Sequence, residues 1–260
     1  MGKKFVTDFL ILDNIPLNST NFLIKLQAPD TLPSIFPGQF VNIDIKNARE
    51  IFLRRPFSVF DIDHTNNTLS IIVKILGRGS KKLTEITPGE KLSLVYPLGK
   101  QFTFPGKSDK ILAVGGGSGL APMLFLAKES KLPAENVDIV IGARSASDHV
   151  EMESYKKYGK IHLTTEDGSL GTKGFVTDHP LLKDDMKRYD KVYACGPVGM
   201  MKAVAGLAKK AEVFCEVSLE NLMACGFGVC LCCIEPTVKG NLRVCIDGPV
   251  FNINELKWQI

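Results

Sequence analysis

A chain of 260 residues, 45% hydrophobic and 23% charged, has room for two domains and a small module and the composition of an ordinary globular enzyme. Its net charge of +4 is spread out, with only isolated pairs such as Lys81-Lys82 and Lys209-Lys210, which argues against a nucleic-acid partner. Ile111–Ala127 is uncharged but too short, and too broken by glycines and Pro122, for a membrane span, and 7 mostly clustered cysteines argue for metal ligation in a reducing compartment rather than for disulfides.

The N-terminus, Met1-Gly2-Lys3-Lys4 followed by a strand-like alternation around Asp8, does not read as a signal peptide, so a cytoplasmic location is expected. Short apolar runs follow at Phe22–Gln27, Phe40–Ile45, Phe57–Ile62, Leu69–Leu76 and Lys91–Tyr96, separated by turn residues such as Thr87-Pro88-Gly89. Strands at this spacing predict a small antiparallel barrel over residues 1–104. One helix is predicted at Lys81–Ile86, with Ser80 as its N-cap.

From about Lys110 the rhythm changes. Strands are expected at Ile111–Val114, Val137–Ile141, Ile161–Thr165, Lys191–Ala194 and Glu212–Val217, and helices at Leu120–Lys128, His149–Tyr158 and Val198–Lys210. Alternating strands and helices predict a parallel sheet covered on both faces, an α/β domain over 105–215. Residues 216–260 remain for a cysteine module, making the chain multidomain.

Four constellations carry chemistry. Arg54-Arg55-Pro56-Phe57-Ser58 lies on a barrel strand, and Gly77-Arg78-Gly79-Ser80 opens the predicted helix. Bare backbone N–H groups at a helix start favour a phosphate, and an arginine from the neighbouring strand would add a charge-assisted fork. Together they make a candidate dinucleotide pyrophosphate clamp, although alone each is a weak signal. Gly115-Gly116-Gly117-Ser118-Gly119-Leu120-Ala121-Pro122 follows a strand and opens a helix, the context of a dinucleotide site, but Leu120 stands where the last glycine of G-x-G-x-x-G would be. Cys195-Gly196-Pro197 closes the fourth strand at the edge where ligands bind in open α/β sheets; Cys195 reads equally well as a buried core thiol.

The last constellation is the most specific. Cys225, Cys230, Cys233 and Cys245 are spaced C-x4-C-x2-C-x11-C, the plant-type pattern for a [2Fe–2S] cluster. Structural zinc sites of four cysteines usually pair two C-x2-C knuckles, which this spacing lacks. The fourth ligand would return across a hairpin, Ile234–Val244, turning at Lys239-Gly240-Asn241. Cys232 does not fit the spacing and is read as a buried thiol or one packed behind the ligands, and Cys215 as core.

In this order the motifs resemble the ferredoxin reductase superfamily. The string Ser218-Leu219-Glu220-Asn221-Leu222-Met223-Ala224-Cys225-Gly226, with Cys230, Cys233 and Cys245-Ile246-Asp247-Gly248-Pro249-Val250-Phe251, resembles the electron transfer subunits of class 1B dihydroorotate dehydrogenases. The resemblance implies FAD in the barrel, NAD in the α/β domain and the cluster in the tail. It also implies an FMN-containing dihydroorotate dehydrogenase catalytic subunit as partner, in a heterotetramer of two plus two. By carry-over, Arg55, Pro56, Phe57 and Ser58 would lie along the flavin, with Phe57 replacing a tyrosine common in the superfamily. Ile72, Val73 and Lys74 would line it from the next strand, and Gly79 with Ser80 would hold its phosphates. Gly115, Gly116, Gly117 and Gly119 with Cys195, Gly196 and Pro197 would serve the nicotinamide nucleotide. No general base is expected; Glu220 reads as a surface glutamate within reach of the flavin. Arg144 against Asp148 or Glu151 leaves NAD versus NADP open, and the resemblance favours NAD. Two rival readings stand beside this one, a reductase component serving another acceptor protein and a non-enzymatic zinc-stapled binding module.

Overall fold

The computed structural model describes residues 3–45, 51–150 and 152–260; Glu151 lies outside them. Six strands close the N-terminal barrel: β1 (Phe5–Pro16), β2 (Asn21–Gln27), β3 (Phe40–Ile43), β4 (Arg55–Asp63), β5 (Thr68–Lys74) and β6 (Lys91–Leu98), in the order β1-β2-β5-β4-β3-β6. Every pairing is antiparallel. The period of two that marks a strand decides which residues fill the interior. Phe9, Ile11, Ile24, Leu26, Val41, Ile43, Leu69, Ile71, Val73, Leu92 and Leu94 point in and form one apolar cluster. Their neighbours Phe40 and Ile72 point out and are covered by the α/β domain.

α1 (Arg78–Thr84) starts three residues before its predicted position, because Gly77 and not Ser80 occupies the N-cap. Ser80 sits at the third helical position and reaches back: its Oγ accepts from the N–H groups of Leu76 (2.8 Å) and Gly77 (3.1 Å).

The second sheet has the order β10-β9-β8-β7-β11-β12-β15. Its strands are β7 (Ile111–Gly116), β8 (Val137–Ala143), β9 (Lys160–Thr165), β10 (Thr172–Lys173), β11 (Lys191–Cys195), β12 (Phe214–Ser218) and β15 (Val250–Asn252). All pair in parallel except β15, which runs antiparallel to β12. α2 (Leu120–Ser130) is apolar nearly all round, with Leu120–Ala127 buried, because it is wedged between sheet and barrel strand β4. The short α3 (Pro180–Lys183) and the longer α4 (Val198–Ala211) complete the cover. Among the described residues of the expected helix at His149–Tyr158, no α-helix forms. Ala146–Asp148 and Glu153–Tyr158 form 3-10 turns there, since only Val150, Met152 and Tyr155 are buried and no stripe sustains an α-helix.

The joint between barrel and sheet is polar and tight. Glu216 on β12 accepts from the Thr103 N–H (2.8 Å) and hydroxyl (2.7 Å), and the Tyr193 hydroxyl donates to the Thr103 carbonyl at 2.7 Å. Burial raises the Glu216 carboxyl above its ordinary range, partly offset by the bonds from Thr103. Lys128 also pairs with Asp61 on the barrel.

The tail is stitched into this framework. The hairpin β13 (Ile234–Thr237) and β14 (Gly240–Arg243) turns at Val238-Lys239, one residue earlier than expected, because Gly240 at φ +99° already pairs with Thr237. A last short helix, α5 (Val244–Asp247), carries Cys245. The break expected at 215/216 falls inside β12, and the tail supplies β15 to the same sheet.

Candidate functional site

Two cavities and a thiol cluster adjoin on one side of the joint. The smaller cavity, about 220 Å³, is a groove between the outer face of the barrel and the α/β domain. Pro56, Phe57 and Ser58 on β4, with Ile72 and Lys74 on β5, form its barrel wall. Ser118, Ala121 and the segment Ser218–Asn221 face them, and Met223 and Pro249 close the end toward the cysteines. Val73 does not take part with its side chain. It alternates with Ile72 and Lys74, so it is fully buried inside the barrel and does not line this groove.

Next to Pro56 in sequence but not itself lining the groove, Arg55 meets the start of α1. A β-carbon on Gly79 would stand 3.2 Å from the Arg55 Nε, so glycine leaves the guanidinium its place. Arg55 is held by its Nη1 donating to the Leu53 carbonyl at 2.8 Å. The first helical bond in α1 runs from the Lys81 N–H to the Gly77 carbonyl, which leaves the N–H groups of Arg78, Gly79 and Ser80 without intrahelical acceptors. The Ser80 hydroxyl itself is engaged within the turn, also donating to the Gly77 carbonyl. Arg54 is structural: its guanidinium donates to the Ser93 carbonyl at 2.7 Å.

The larger cavity, about 750 Å³, lies over the carboxyl edge of the parallel sheet. Gly116, Gly117 and Pro197 form its floor, and Arg144, Asp148, His149 and Glu166 its far wall. The other glycines serve packing. A β-carbon on Gly119 would stand 2.0 Å from the Cys195 carbonyl oxygen, and one on Gly115 would be 2.8 Å from Ile141. Gly196, at φ +149°, touches the Gly116 backbone in the same way. Cys195 is completely buried, and burial raises its thiol well above the ordinary range; it backs the wall and does not line the cavity.

Lys74 and Leu76 line both cavities. Glu220, expected on the surface, opens onto the groove. Its side chain is exposed to solvent along the groove. Desolvation raises its carboxyl, offset by the Ser118 hydroxyl and the Lys74 charge. Its signal in the sequence was only its position before the cysteine loop. Glu166 past β9 was missed altogether, since a single acid in a turn has no pattern.

The thiols lie close to one another. Cys225 is near Cys230, and Cys245 near Cys233, whose sulfur accepts from the Cys245 N–H at 3.4 Å. Burial pushes the Cys225 thiol up, but the N–H groups of Cys230 and Phe227, the Cys230 thiol and the Val229 N–H outweigh it and bring it down to about 6. Burial, then the bond and charge of Cys233 and the charge of Cys225, push Cys245 to about 12. Gly226 (φ +78°) and Gly228 (φ +88°) let the loop turn its N–H groups onto sulfur. Among the described residues no three cysteine, histidine or acidic side chains are gathered for a single metal ion. Four thiols with backbone N–H groups near sulfur fit the thiolate set that holds a two-iron cluster. Cys232 is exposed and not buried, its thiol 3.6 Å from the Leu222 carbonyl.

Known proteins match this arrangement part by part. Residues 13–103 match the family model of the oxidoreductase FAD-binding domain, 113–206 that of the oxidoreductase NAD-binding domain, and 220–257 the iron-sulfur cluster binding domain of dihydroorotate dehydrogenase B. The chain is 35% identical over 258 residues to the dihydroorotate dehydrogenase B (NAD(+)) electron transfer subunit of Fusobacterium nucleatum, covering 97% of this chain and 98% of that one. It is 40% identical over 225 residues to the corresponding subunit of Caldanaerobacter subterraneus, covering 85% and 86%. Among solved structures, a NADH-dependent reduced ferredoxin-NADP oxidoreductase superposes with a TM-score of 0.84 at 28% identity, over 99% of this chain and 92% of that one. The ferredoxin reductase of carbazole 1,9a-dioxygenase, at TM-score 0.71 and 22% identity over 82% and 67%, shares the fold. With barrel, parallel sheet and thiol cluster all matched in order, the chain belongs to the family of dihydroorotate dehydrogenase B electron transfer subunits.

Proposed function

We propose that this chain carries electrons from a dihydroorotate-oxidising catalytic subunit to NAD+, by way of a [2Fe–2S] cluster and FAD. The observation that carries the reading is the shared wall: Lys74 and Leu76 border both cavities, while Met223 leads from the groove to Cys225. Three binding places thus follow one another without a gap. When bound, the cluster supplies one-electron carriage and the flavin the exchange between single electrons and hydride.

The chain's own residues bind, orient and exclude water. Arg55 and the N–H groups at the start of α1 hold the FAD pyrophosphate. Pro56, Phe57, Ser58, Ile72 and Lys74 line its ring, where Phe57 offers an aromatic face but no hydroxyl. Gly116, Gly117 and Pro197 shape the seat of NAD, and Cys195 and Gly119 brace it from behind. Cys225, Cys230, Cys233 and Cys245 hold the cluster. No side chain is asked to act as general base, since placement and tuning are the protein's task.

The partner is a catalytic subunit bearing FMN, in a two-plus-two assembly in the cytoplasm. Support comes from the apolar rim of the cysteine loop, where Leu222 is 86% exposed, Val229 73% and Leu231 59%. Large apolar side chains exposed together on one loop are the kind of surface that a protein partner covers. No helix among the described residues is long and apolar enough to cross a membrane.

The second reading, a reductase subunit serving a ferredoxin-type acceptor, draws on the solved structure that shares nearly the whole chain. Reconstitution with an FMN-bearing catalytic subunit separates the two. Dihydroorotate-dependent NAD+ reduction with the partner, and none without it, is the expected outcome. Electron delivery to ferredoxin, with no gain from that partner, would overturn the proposal.

A further inference from the structure

Asn42 lies on the outer face of β3, at a position that is completely buried beneath the rest of the chain. Its neighbours Val41 and Ile43 fill the barrel, while Phe40, on its own face, packs into the cluster that includes Cys233 and Cys245. Asn42 is nevertheless a carboxamide, and it is 0% exposed. Its Nδ2 donates to the Cys225 carbonyl at 3.3 Å. Gly226 comes so close that a β-carbon there would stand 2.7 Å from the same Nδ2. Turning the amide over would set its oxygen against the Cys225 oxygen, two acceptors face to face, so the orientation is determined. That leaves Oδ1 buried with no partner among the described residues. A buried acceptor left unpaired is unfavourable, and native proteins hold few of them. Here the unpaired group lies beneath the first cysteine of the thiol loop. Across the sheet Asn42 pairs with Pro56 on the groove wall.

We propose that Asn42 is a positioning residue for the cluster: it pins the Cys225 peptide to the barrel strand beside the flavin groove and sets part of the polar environment of the cluster. The inference rests on Cys225 being a cluster ligand. Partners behind a ligand fix its orientation, and hydrogen bonding and burial around a cluster set its potential. The Asn42 amide supplies both from the barrel side, so the spacing between groove and cysteine loop is held by a side chain and not by the loop alone.

The test uses the full chain, assembled with its catalytic partner under anaerobic conditions. Iron, acid-labile sulfide and the low-temperature EPR signal of the dithionite-reduced parent come first. If the parent lacks them, the cluster reading fails, whatever Asn42 does. With a cluster present, Asn42→Leu is expected to keep FAD at the parent ratio while losing iron to a chelator on the order of 10-fold faster. Its midpoint potential and g-values should shift as well. Asn42→Asp, of the same size, is expected to lower the midpoint potential by adding negative charge. Parent-like EPR, potential and chelator resistance in either folded variant would overturn the proposal. Should neither fold, Asn42→Ala, which only truncates the side chain, is read by the same three measurements.

Discussion

Arg55 and Gly79 touch across the mouth of the barrel: the Arg55 Nε lies 3.2 Å from where a Gly79 β-carbon would stand, and Ile45 crowds the same point at 3.1 Å. An added side chain must push the guanidinium or the isoleucine aside. Gly79→Val should therefore weaken FAD as Arg55→Ala does, although it removes no charge. A charge-assisted bond contributes about 1.5–3 kcal/mol, so each variant should lower FAD affinity roughly 10–100-fold. Flavin fluorescence on dilution reads this directly. Unchanged retention in Arg55→Ala would remove the arginine from the clamp.

Cys232 and Cys233 are adjacent but opposite in situation, the first exposed and the second buried against Cys245. Cys233→Ser and Cys245→Ser should each abolish the visible iron–sulfur absorption while leaving FAD bound. Cys232→Ala should leave the spectrum and iron content at parent levels. Loss of the cluster in the Cys232 variant would reassign the third ligand.

Gly119 is held to glycine by backbone, not by a ligand. Its β-carbon would stand 2.0 Å from the Cys195 carbonyl oxygen, an atom that cannot move without the strand. Overpacking of this kind costs about 1–3 kcal/mol, and a backbone clash lies at the upper end. Gly119→Ala should lower the melting temperature even with NAD and FAD saturating. A variant as stable as the parent, with only weaker NAD binding, would restore the glycine to a ligand role.

Asp138 is buried at the start of β8 and accepts from His162 (2.7 Å), Tyr189 (2.7 Å) and Arg188 (2.8 Å). Burial alone would raise its carboxyl; the bonds from His162, Tyr189 and Arg188 outweigh it and hold the group well below the usual range. A depressed folded pKa contributes stability above the unfolded pKa of about 4, lost progressively as pH falls below it. Asp138→Ala should cost about 2–4 kcal/mol at neutral pH and flatten the acid limb of the stability curve. Urea melts at pH 7 and at about pH 2.5, below the unfolded pKa, measure both. An unaltered pH slope would show that this carboxylate is not linked to acid unfolding.

The periodicities carried most of the architecture. Period-two runs announced the barrel strands, and glycine turns after apolar runs announced the parallel sheet. Cysteine spacing alone separated the thiol loop from zinc knuckles. What stayed hidden depends on partners distant in the chain. The Ser80 hydroxyl is a natural N-cap by residue type, yet Gly77 takes that place because Ser80 can reach back to two N–H groups. Val73 sits in a run of apolar residues whose inward and outward members only the closed barrel distinguishes. Asn42 and Glu216 are single polar letters within strands, and their meaning lies in Cys225 and Thr103, which no local pattern connects to them. β15 has only three residues and follows a proline, too short to announce itself before β12 is there to receive it.

That last strand has an evolutionary corollary. Because Val250–Asn252 completes the sheet that begins at Ile111, the thiol-bearing tail is no detachable cassette. Clipping it off would bare the flank of Phe214–Ser218 and strip Phe251 from the interior, so a reductase lacking this tail needs another way to finish that flank. Recombination between relatives with and without the tail should accordingly find viable crossover points ahead of residue 214 and not after it.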